Sequence, residues 1–203
     1  AGKPEKAVAP LERALMLDPQ LLEAQFLLSL SGYGPKLSML PRSFIIERND
    51  TLADVYSDVF PEGKEPITVT TLKNEFAKYF ENWQGFNVLD LGCQGGETGV
   101  LLKDKANALV GVDPSIKMAG IARTKRLNDI LVYNKIVGKF PEDYLADSTE
   151  KFQIITAIHY LGNYAEPENF FKLIRQHFVE TGGVFIFTIT PTSTEKYSFG
   201  ANK

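Results

Sequence analysis

The sequence has little cysteine and histidine, and its charges are nearly balanced. A single cysteine, Cys93, cannot form an internal disulfide, and with only two histidines, His159 and His177, it shows no metal-ligand spacing. Basic and acidic residues number 22 and 25, with no basic block that would follow a phosphate backbone. No apolar run reaches the roughly 20 residues that cross a bilayer. We therefore expect a soluble, cytoplasmic protein without a membrane segment or a bound metal, and nucleic acid is disfavoured as its main partner, with a small RNA contact left open.

The chain is long enough for one full domain and a small appendage. It has 203 residues, of which 44% are apolar, and a main domain of about 120 to 170 residues is expected. Composition and pattern divide it into three parts. Residues 1–34 form a helical segment, residues 35–84 a connector with cap helices, and residues 85–203 an α/β domain that we expect to be cut short at its C-terminal end.

The N-terminal segment predicts two successive helices. Ala7, Leu11 and Ala14 share one helical face, and a breaker cluster at 31–35 ends the apolar run Leu21–Leu30. The stretch DPQLLEAQFLLSL resembles the entry into a tetratricopeptide repeat, which implies a protein partner and a chain cut from a longer array. An ordinary amphipathic helical hairpin is the alternative.

From residue 86 onward, short β-rich runs alternate with helical stretches. Strands are predicted at Asn87–Leu91, Ala108–Val112, Lys135–Gly138, Phe152–Ile158 and Gly183–Thr188. Helices are predicted at Thr70–Trp83, Gly96–Leu102, Ser115–Lys125, Pro141–Ala146 and Pro167–Phe178. This alternation predicts an α/β fold with a doubly wound parallel sheet, whose ligand lies beyond the carboxyl ends of the strands.

The turn after the first predicted strand indicates the chemistry. VLDLGCQGG, from Val88 to Gly96, is an apolar strand that enters a glycine-rich loop, and the second strand ends in VGVD at Asp113, 17 residues beyond Gly96. This spacing is close to that of an acid that binds a ribose diol. Asp90, two residues before the first glycine, would repel a pyrophosphate and favours a ligand with an ammonium or sulfonium group. A nucleoside ligand is therefore expected, and a nicotinamide dehydrogenase is disfavoured.

Two motifs, VLDLGCQGG and VGVDPSIKM, resemble those of class I S-adenosylmethionine (SAM) methyltransferases. The likeness covers about residues 86–190. VYSDVF, at Val55–Phe60, is similar to an element that precedes the catalytic domain in methyltransferases of the tetratricopeptide-containing type. The resemblance implies a Rossmann-like methyltransferase sheet with SAM as the methyl donor and an unidentified small molecule or protein as the acceptor.

The resemblance also implies a set of donor-binding residues. In it Asp90 orders the loop and the amino-acid end of the donor, and Asp113 accepts from the ribose hydroxyls. Pro114 and Met118 wall the adenine, and Phe140 covers its face. The full set is Asp90, Gly92, Cys93, Gln94, Gly96, Asp113, Pro114, Met118, Lys139 and Phe140.

Two of these residues depart from the family pattern. Gln94 stands at the middle-glycine position of the loop, where a side chain demands a strained φ. Lys139 follows the third strand, where the family has an acid that accepts from adenine, and an ammonium cannot accept. These departures motivate an alternative function, a catalytically degenerate binding or scaffold protein that recognises partners through its tetratricopeptide segment.

The candidate catalytic residue is His159. It follows the fourth predicted strand of the sheet, where donor and acceptor meet, and a neutral imidazole there is a candidate general base toward a hydroxyl or an amine. A hydrogen-bonded wall residue is the alternative. Tyr56 is a candidate lid over the donor, against simple packing of the connector. No NPPY-like segment follows the strand, which argues against methylation of the amino groups associated with that signature.

Overall fold

A computed structural model describes residues 5–34, 37–61, 67–80, 84–179 and 182–189. The helices are α1 (Glu5–Leu17), α2 (Leu22–Leu30), α3 (Arg42–Asp54), α4 (Tyr56–Val59), α5 (Ile67–Phe80), α6 (Glu97–Leu102), α7 (Ile116–Thr124), α8 (Pro141–Asp147) and α9 (Glu168–Arg175), with a 3₁₀ turn at Leu161–Asn163. The strands are β1 (Phe86–Leu91), β2 (Ala106–Val112), β3 (Arg126–Leu127), β4 (Ile130–Leu131), β5 (Lys135–Val137), β6 (Ile154–Ala157) and β7 (Val184–Phe187).

Five strands form one parallel sheet in the order β5-β2-β1-β6-β7. β1 is central, and its Asp90 pairs with Gly111 of β2 on one side and with Thr156 of β6 on the other. The chain adds β2 and β5 on one side of β1 and then crosses to β6 and β7, so the strand order reverses between β1 and β6. Ligands of such sheets bind beyond the carboxyl ends of the strands at this point. The predicted doubly wound α/β fold is confirmed.

The strands and helices of this sheet occur where the alternation predicts them, with shifts at their ends. β6 is shorter than predicted, because Phe152 lies outside it and forms an isolated bridge with Phe178. Helix α5 begins at Ile67, before its predicted start. The predicted end of that helix at Trp83 lies outside the described residues.

Two features have no predicted bounds. Helices α3 and α4 lie in the segment that was expected to hold connector and cap helices. The antiparallel hairpin β3–β4 precedes β5. Its turn residues Asn128 and Asp129 have φ of 49° and 64°, the left-handed values that a tight two-residue hairpin turn requires. Strands of two residues are too short to show a periodicity, so the turn residues are their only local signal.

The chain divides into two compact units, of which the first contains the described parts of residues 1–45 and 162–167. In it α2 buries Ala24, Phe26 and Leu28, and the rings of Phe26 and Phe44 pack with their centroids 5.2 Å apart. None of the residues of α1 is buried. Two successive N-terminal helices are thus confirmed. The tetratricopeptide interpretation stays a prediction beside the simple helical hairpin.

The second unit contains the remaining described residues and the sheet. Val88, Leu89 and Leu91 of β1 are fully buried, and Leu72 and Phe76 of α5 belong to the same core as Val88. Each buried side chain of this size contributes about 1.5 to 3 kcal/mol. The core therefore fixes β1 and the start of the loop that follows it. Within the described ranges, no helix has both the length and the hydrophobicity to span a membrane.

Candidate functional site

The loop after β1 has a left-handed backbone at three residues. The φ angle is 69° at Gly92, 47° at Gln94 and 96° at Gly96. This region suits glycine but is sparsely populated by glutamine, so the strain expected at Gln94 is present. The amides of Gly92 and Cys93 both donate to the carbonyl oxygen of Val112, at 2.7 and 3.1 Å. These bonds hold the loop against the end of β2.

Tyrosine rings lie against two loop glycines on the side where a side chain would project. A Cβ atom at Gly92 would lie 2.6 Å from the ring of Tyr160, and one at Gly96 would lie 3.0 Å from the ring of Tyr133. Protein packing therefore requires a small residue at Gly92 and limits the room at Gly96. The resemblance also implies that Gly92 and Gly96 let the donor approach the backbone, and this stays a prediction.

Tyr56, the first residue of α4, covers Gly95, where a Cβ atom would overlap its ring. Tyr56 is 7% exposed, and its hydroxyl lies close to the Glu97 carboxylate. Burial and the nearby Glu97 carboxylate raise its pKa, so the hydroxyl stays protonated. The Lys125 ammonium lies 5.2 Å from the centroid of the Tyr56 ring and pairs with Glu97 at 2.8 Å. Tyr56 thus packs on the loop, and its role as a lid over the donor stays a prediction beside simple packing of the connector.

Asp113 follows β2 and is fully buried. Its Oδ2 accepts from the amide of Gln94 at 3.0 Å and its Oδ1 from the amide of Ser115 at 2.9 Å. The side chain of Asn49, from α3, also hydrogen-bonds this carboxylate. Burial raises the pKa of Asp113 to about 6, although these donors oppose the shift. Burial also lowers the pKa of the Arg48 guanidinium, and the Asp113 carboxylate opposes that change.

Helix α3 supplies polar contacts that the motif spacing does not identify. Asp50 accepts from the hydroxyl of Ser115, and Asp54 pairs with Lys117 at 2.6 Å. Ser115 caps α7, since its Oγ accepts from the amide of Met118 at 3.0 Å. Because Asp50 and Asp54 are four residues apart, they share one helical face, and this spacing is the sequence signal that points to the contact.

Asp90 is buried within the sheet at 1% exposure. Its Oδ2 accepts from the Tyr133 hydroxyl at 2.6 Å and its Oδ1 from the Thr156 hydroxyl at 2.7 Å. Burial raises the pKa of Asp90 to about 6, against the effect of both hydroxyls. Each carboxylate oxygen therefore has a protein partner. The expected role of Asp90 toward the amino-acid end of the donor stays a prediction, while its contact with Tyr133 connects it to the loop.

The other residues of the predicted donor site are mostly buried. Pro114 and Met118 are buried at the start of α7, and Phe140 precedes α8 at 8% exposure. Cys93 is buried, and burial raises the pKa of its thiol well above the ordinary value. A thiol that stays protonated is a poor nucleophile. The contacts of these four residues with a donor stay predictions.

Lys139 lies at the surface near the end of β5. Its ammonium pairs with Asp147 at 3.0 Å, and both side chains are at least half exposed. The sequence predicts that Lys139 offers the adenine a positive charge and no acceptor. The ion pair with Asp147 partly neutralises that charge.

A cleft with about 420 Å³ of empty space opens between the loop after β1 and the turn after β6. Its apolar lining comes from Phe60, Val69, Leu72 and Ile158, and its polar lining includes Gln94, Glu97, Thr98 and His159. The combination of apolar walls and a few polar groups is typical of small-molecule sites.

His159 forms part of this cleft and has a left-handed backbone, with φ of 60°. Its amide donates to the Thr188 hydroxyl at 2.7 Å, which holds this conformation. Partial desolvation lowers the pKa of His159 below the usual 6.5, so the imidazole is neutral at pH 7. An exposed, neutral imidazole in a strained turn beside a cleft is typical of a functional residue.

These features define a Rossmann-like methyltransferase domain. Residues 44–201 match the methyltransferase domain family, and the chain belongs to this family. It is 32% identical over 136 residues to a ubiquinone biosynthesis O-methyltransferase of Rhizobium leguminosarum bv. trifolii, in an alignment that covers 63% of this chain and 52% of the relative. The chain thus spans about half the length of the curated relatives it matches.

Solved structures agree with the fold. Magnesium protoporphyrin IX methyltransferase from Synechocystis PCC 6803, crystallised with SAM, superposes with a TM-score of 0.53 at 18% identity, over 67% of this chain and 71% of its own. A SAM-dependent methyltransferase from Leishmania major gives 0.54 at 19% identity, over 71% of this chain and 59% of its own. At these identities the likeness establishes the fold. The predicted methyltransferase family is confirmed, and its tetratricopeptide-containing subtype stays a prediction.

Proposed function

We propose that this chain is a SAM-dependent methyltransferase that acts on a hydroxyl group of a small-molecule acceptor. The observation that carries the proposal is the placement of the glycine-rich loop, Asp113 and His159 at one edge of the sheet, with the cleft between the loop and His159. Membership of the methyltransferase domain family supports it. The relative from Rhizobium leguminosarum, named as an O-methyltransferase, supports oxygen as the acceptor atom.

The described residues fit a nucleoside-containing donor. The Asp113 carboxylate accepts from two backbone amides and from the Asn49 side chain, so a ribose hydroxyl would bind it by replacing one of these donors. The buried hydroxyl of Tyr56, close to the Glu97 carboxylate, offers a further polar group beside Gly95. Phe140 would cover the adenine. When bound, SAM supplies an electrophilic methyl group on a sulfonium.

The chain's own contribution to transfer is orientation and movement of one proton. Phe60, Val69 and Leu72 exclude water from one wall of the cleft and would orient an apolar acceptor, and such positioning supplies much of the acceleration in two-substrate reactions. His159, neutral at pH 7, would accept the proton of the acceptor hydroxyl and, being exposed, release it to solvent.

The lining of the cleft also indicates the kind of acceptor that would fit it. Four apolar side chains line it, so an acceptor with an apolar body and one hydroxyl matches its chemistry.

Calorimetry of the full chain with S-adenosylhomocysteine (SAH) tests donor binding. We expect a measurable heat with SAH and none with NADH, since the Asp90 carboxylate would repel a pyrophosphate bound at the loop. SAH release from SAM in the presence of a panel of phenols and matched anilines then tests the acceptor atom. A folded chain without SAH binding would instead favour the degenerate scaffold protein.

A further inference from the structure

Tyr133, in the segment between β4 and β5, packs against Gly96 at the end of the glycine-rich loop. It is buried, and its ring faces the side on which three glycines lack a side chain. A Cβ atom would lie 3.0 Å from this ring at Gly96, 2.9 Å at Gly111, and in overlap with it at Gly99. One ring therefore occupies the space between the loop, the start of α6 and β2. This ring explains the glycine at Gly99, and at Gly111 it restricts the space together with Ile136, whose Cδ1 would lie 2.6 Å from a Cβ atom.

The Tyr133 hydroxyl connects the same ring to the sheet. It donates to Oδ2 of Asp90 at 2.6 Å, across 43 residues of sequence. Burial and the Asp90 carboxylate raise the pKa of Tyr133 well above its ordinary value, so the hydroxyl stays a donor throughout the neutral range. Asp90 stands two residues before the loop begins.

The backbone beside Tyr133 is itself fixed to β2. The amide of Asn134 donates to the carbonyl oxygen of Leu109 at 2.9 Å, and the side-chain oxygen of Asn134 accepts from the amide of Leu109 at 2.8 Å. On the other side, the amide of Val132 donates to the carbonyl oxygen of Lys125 at 3.0 Å. The ring is thus held at its backbone and at its hydroxyl, and the loop packs on it between these two points.

We propose that Tyr133 is a positioning residue that holds the glycine-rich loop in its left-handed geometry, acting through Asp90 and Gly96. Its value for donor binding rests on the proposed function, because the loop is part of the proposed SAM site. The positioning itself is a property of the ligand-free chain. The two can therefore be tested separately.

Tyr133→Phe in the full chain keeps the ring and removes the bond to Asp90. In the ligand-free protein we expect the amides of Gly92, Cys93 and Gly96 to exchange hydrogen for deuterium about tenfold faster, as the loss of one charge-assisted hydrogen bond implies. Tyr144→Phe, which removes a buried tyrosine hydroxyl from α8, is the matched control and should leave these rates unchanged. Loop exchange that is equally slow in Tyr133→Phe and in the wild type would overturn the proposal.

A second readout separates positioning from general stability. Without the Tyr133 hydroxyl the pKa of Asp90 rises further, so Asp90 becomes protonated at a higher pH. As the pH is lowered from about 8 to 5.5, SAH affinity should therefore begin to fall at a higher pH in Tyr133→Phe than in the wild type. Thr156→Val removes the other donor to Asp90 without touching the glycines; it should shift the pH profile and leave loop exchange slow. If Tyr133→Phe does not fold, Asp90→Asn provides the exchange test from the other end of the bond. Failure of the wild type to bind SAH would refute the proposed function, whereas the exchange rates would still decide the role of Tyr133.

Discussion

The turns after β2 and β6 meet at one edge of the sheet, but they are built differently. Asp113, after β2, is fully buried and accepts from two backbone amides and the side chain of Asn49. His159, after β6, is exposed and lines the cleft, and the hydrogen bond from its amide to the Thr188 hydroxyl holds its backbone. The first turn presents a rigid acceptor in a desolvated place, and the second presents a titratable group to solvent.

This difference separates binding from chemistry. A group that recognises ribose hydroxyls gains from a fixed position and from low exposure to water. A group that takes a proton from an acceptor and returns it to solvent needs contact with both. Substitutions at the two turns test whether one binds the donor and the other moves the proton.

The largest effect is expected at His159. His159→Asn removes the imidazole but keeps a residue that tolerates positive φ, so the turn should persist. If His159 is the general base, kcat should fall about 10²- to 10⁴-fold, while SAH affinity stays unchanged in calorimetry. In the wild type, kcat/KM should fall as pH drops through the lowered pKa of His159, because only the neutral imidazole accepts a proton.

His177 supplies the control for this variant. It is buried, and its two ring nitrogens contact the carbonyl oxygens of Glu150 and Leu145 at 3.0 and 2.7 Å. His177→Gln should therefore lower Tm with little effect on kcat. A His159→Asn variant with the kcat of the wild type would identify His159 as a wall residue.

The next effect is a pH dependence of stability caused by Asp113. Its pKa rises from 3.8 to about 6 on folding, so between these values the folded chain binds more protons than the unfolded chain. Stability therefore decreases as pH rises through this window, by about 3 kcal/mol for a shift of about two pH units. In Asp113→Asn the free energy of unfolding should therefore fall less steeply with pH, whatever its absolute value. Denaturant unfolding from about pH 4 to 7 measures this slope.

Asp90 shows the same shift and remains in that variant, so part of the slope should persist. Equal slopes in the wild type and in Asp113→Asn would mean that the Asp113 carboxylate is solvated in the native state. A carboxylate that destabilises the fold at neutral pH indicates a binding role, because perturbed acids of this kind cluster at functional sites.

The fold was predictable because β1, β2 and β6 are short apolar runs and the sheet buries them on both faces. The ends of elements were less predictable. Phe152 continues the apolar pattern of β6, but it forms only an isolated bridge with Phe178. Helix α3 has no clear apolar stripe, since fully buried Ile45 stands beside exposed Phe44, and so periodicity does not mark its bounds.

The candidate site was predictable where its signal is local. The loop and Asp113 follow from spacing within two successive motifs. Tyr133 and Asn49 belong to no motif, and they reach Asp90 and Asp113 through the tertiary fold. Contacts of this kind leave no spacing in the sequence, which is why the residues that hold the two acids were missed.

A smaller effect is expected on donor affinity when the Asp113 side chain is removed. Asp113→Ala takes away the acceptor for the ribose hydroxyls and the partner of the Gln94 amide. SAH affinity should weaken by about 1 to 3 kcal/mol, measured by calorimetry. Asp58→Ala, at an exposed acid of α4, is the control for a change of one charge. Unchanged SAH affinity in Asp113→Ala would place the ribose elsewhere and remove the contrast between the two turns.

The smallest effect is expected at Lys139, which belongs to neither turn. The family pattern has an acceptor at this position, and Lys139→Asp would restore one, with a gain on the order of 1 kcal/mol for one partly exposed hydrogen bond. The exposed ion pair with Asp147 reduces this expectation, because it already neutralises part of the ammonium charge. We therefore expect Lys139→Ala to leave SAH affinity nearly unchanged and Lys139→Asp to tighten it by less than about 1 kcal/mol.

Calorimetry of both variants beside Asp147→Ala, which releases the ammonium from its ion pair, distinguishes the gain of an acceptor from the loss of the positive charge. If Lys139→Asp binds SAH no better than Lys139→Ala, the adenine amino group is not read at the end of β5.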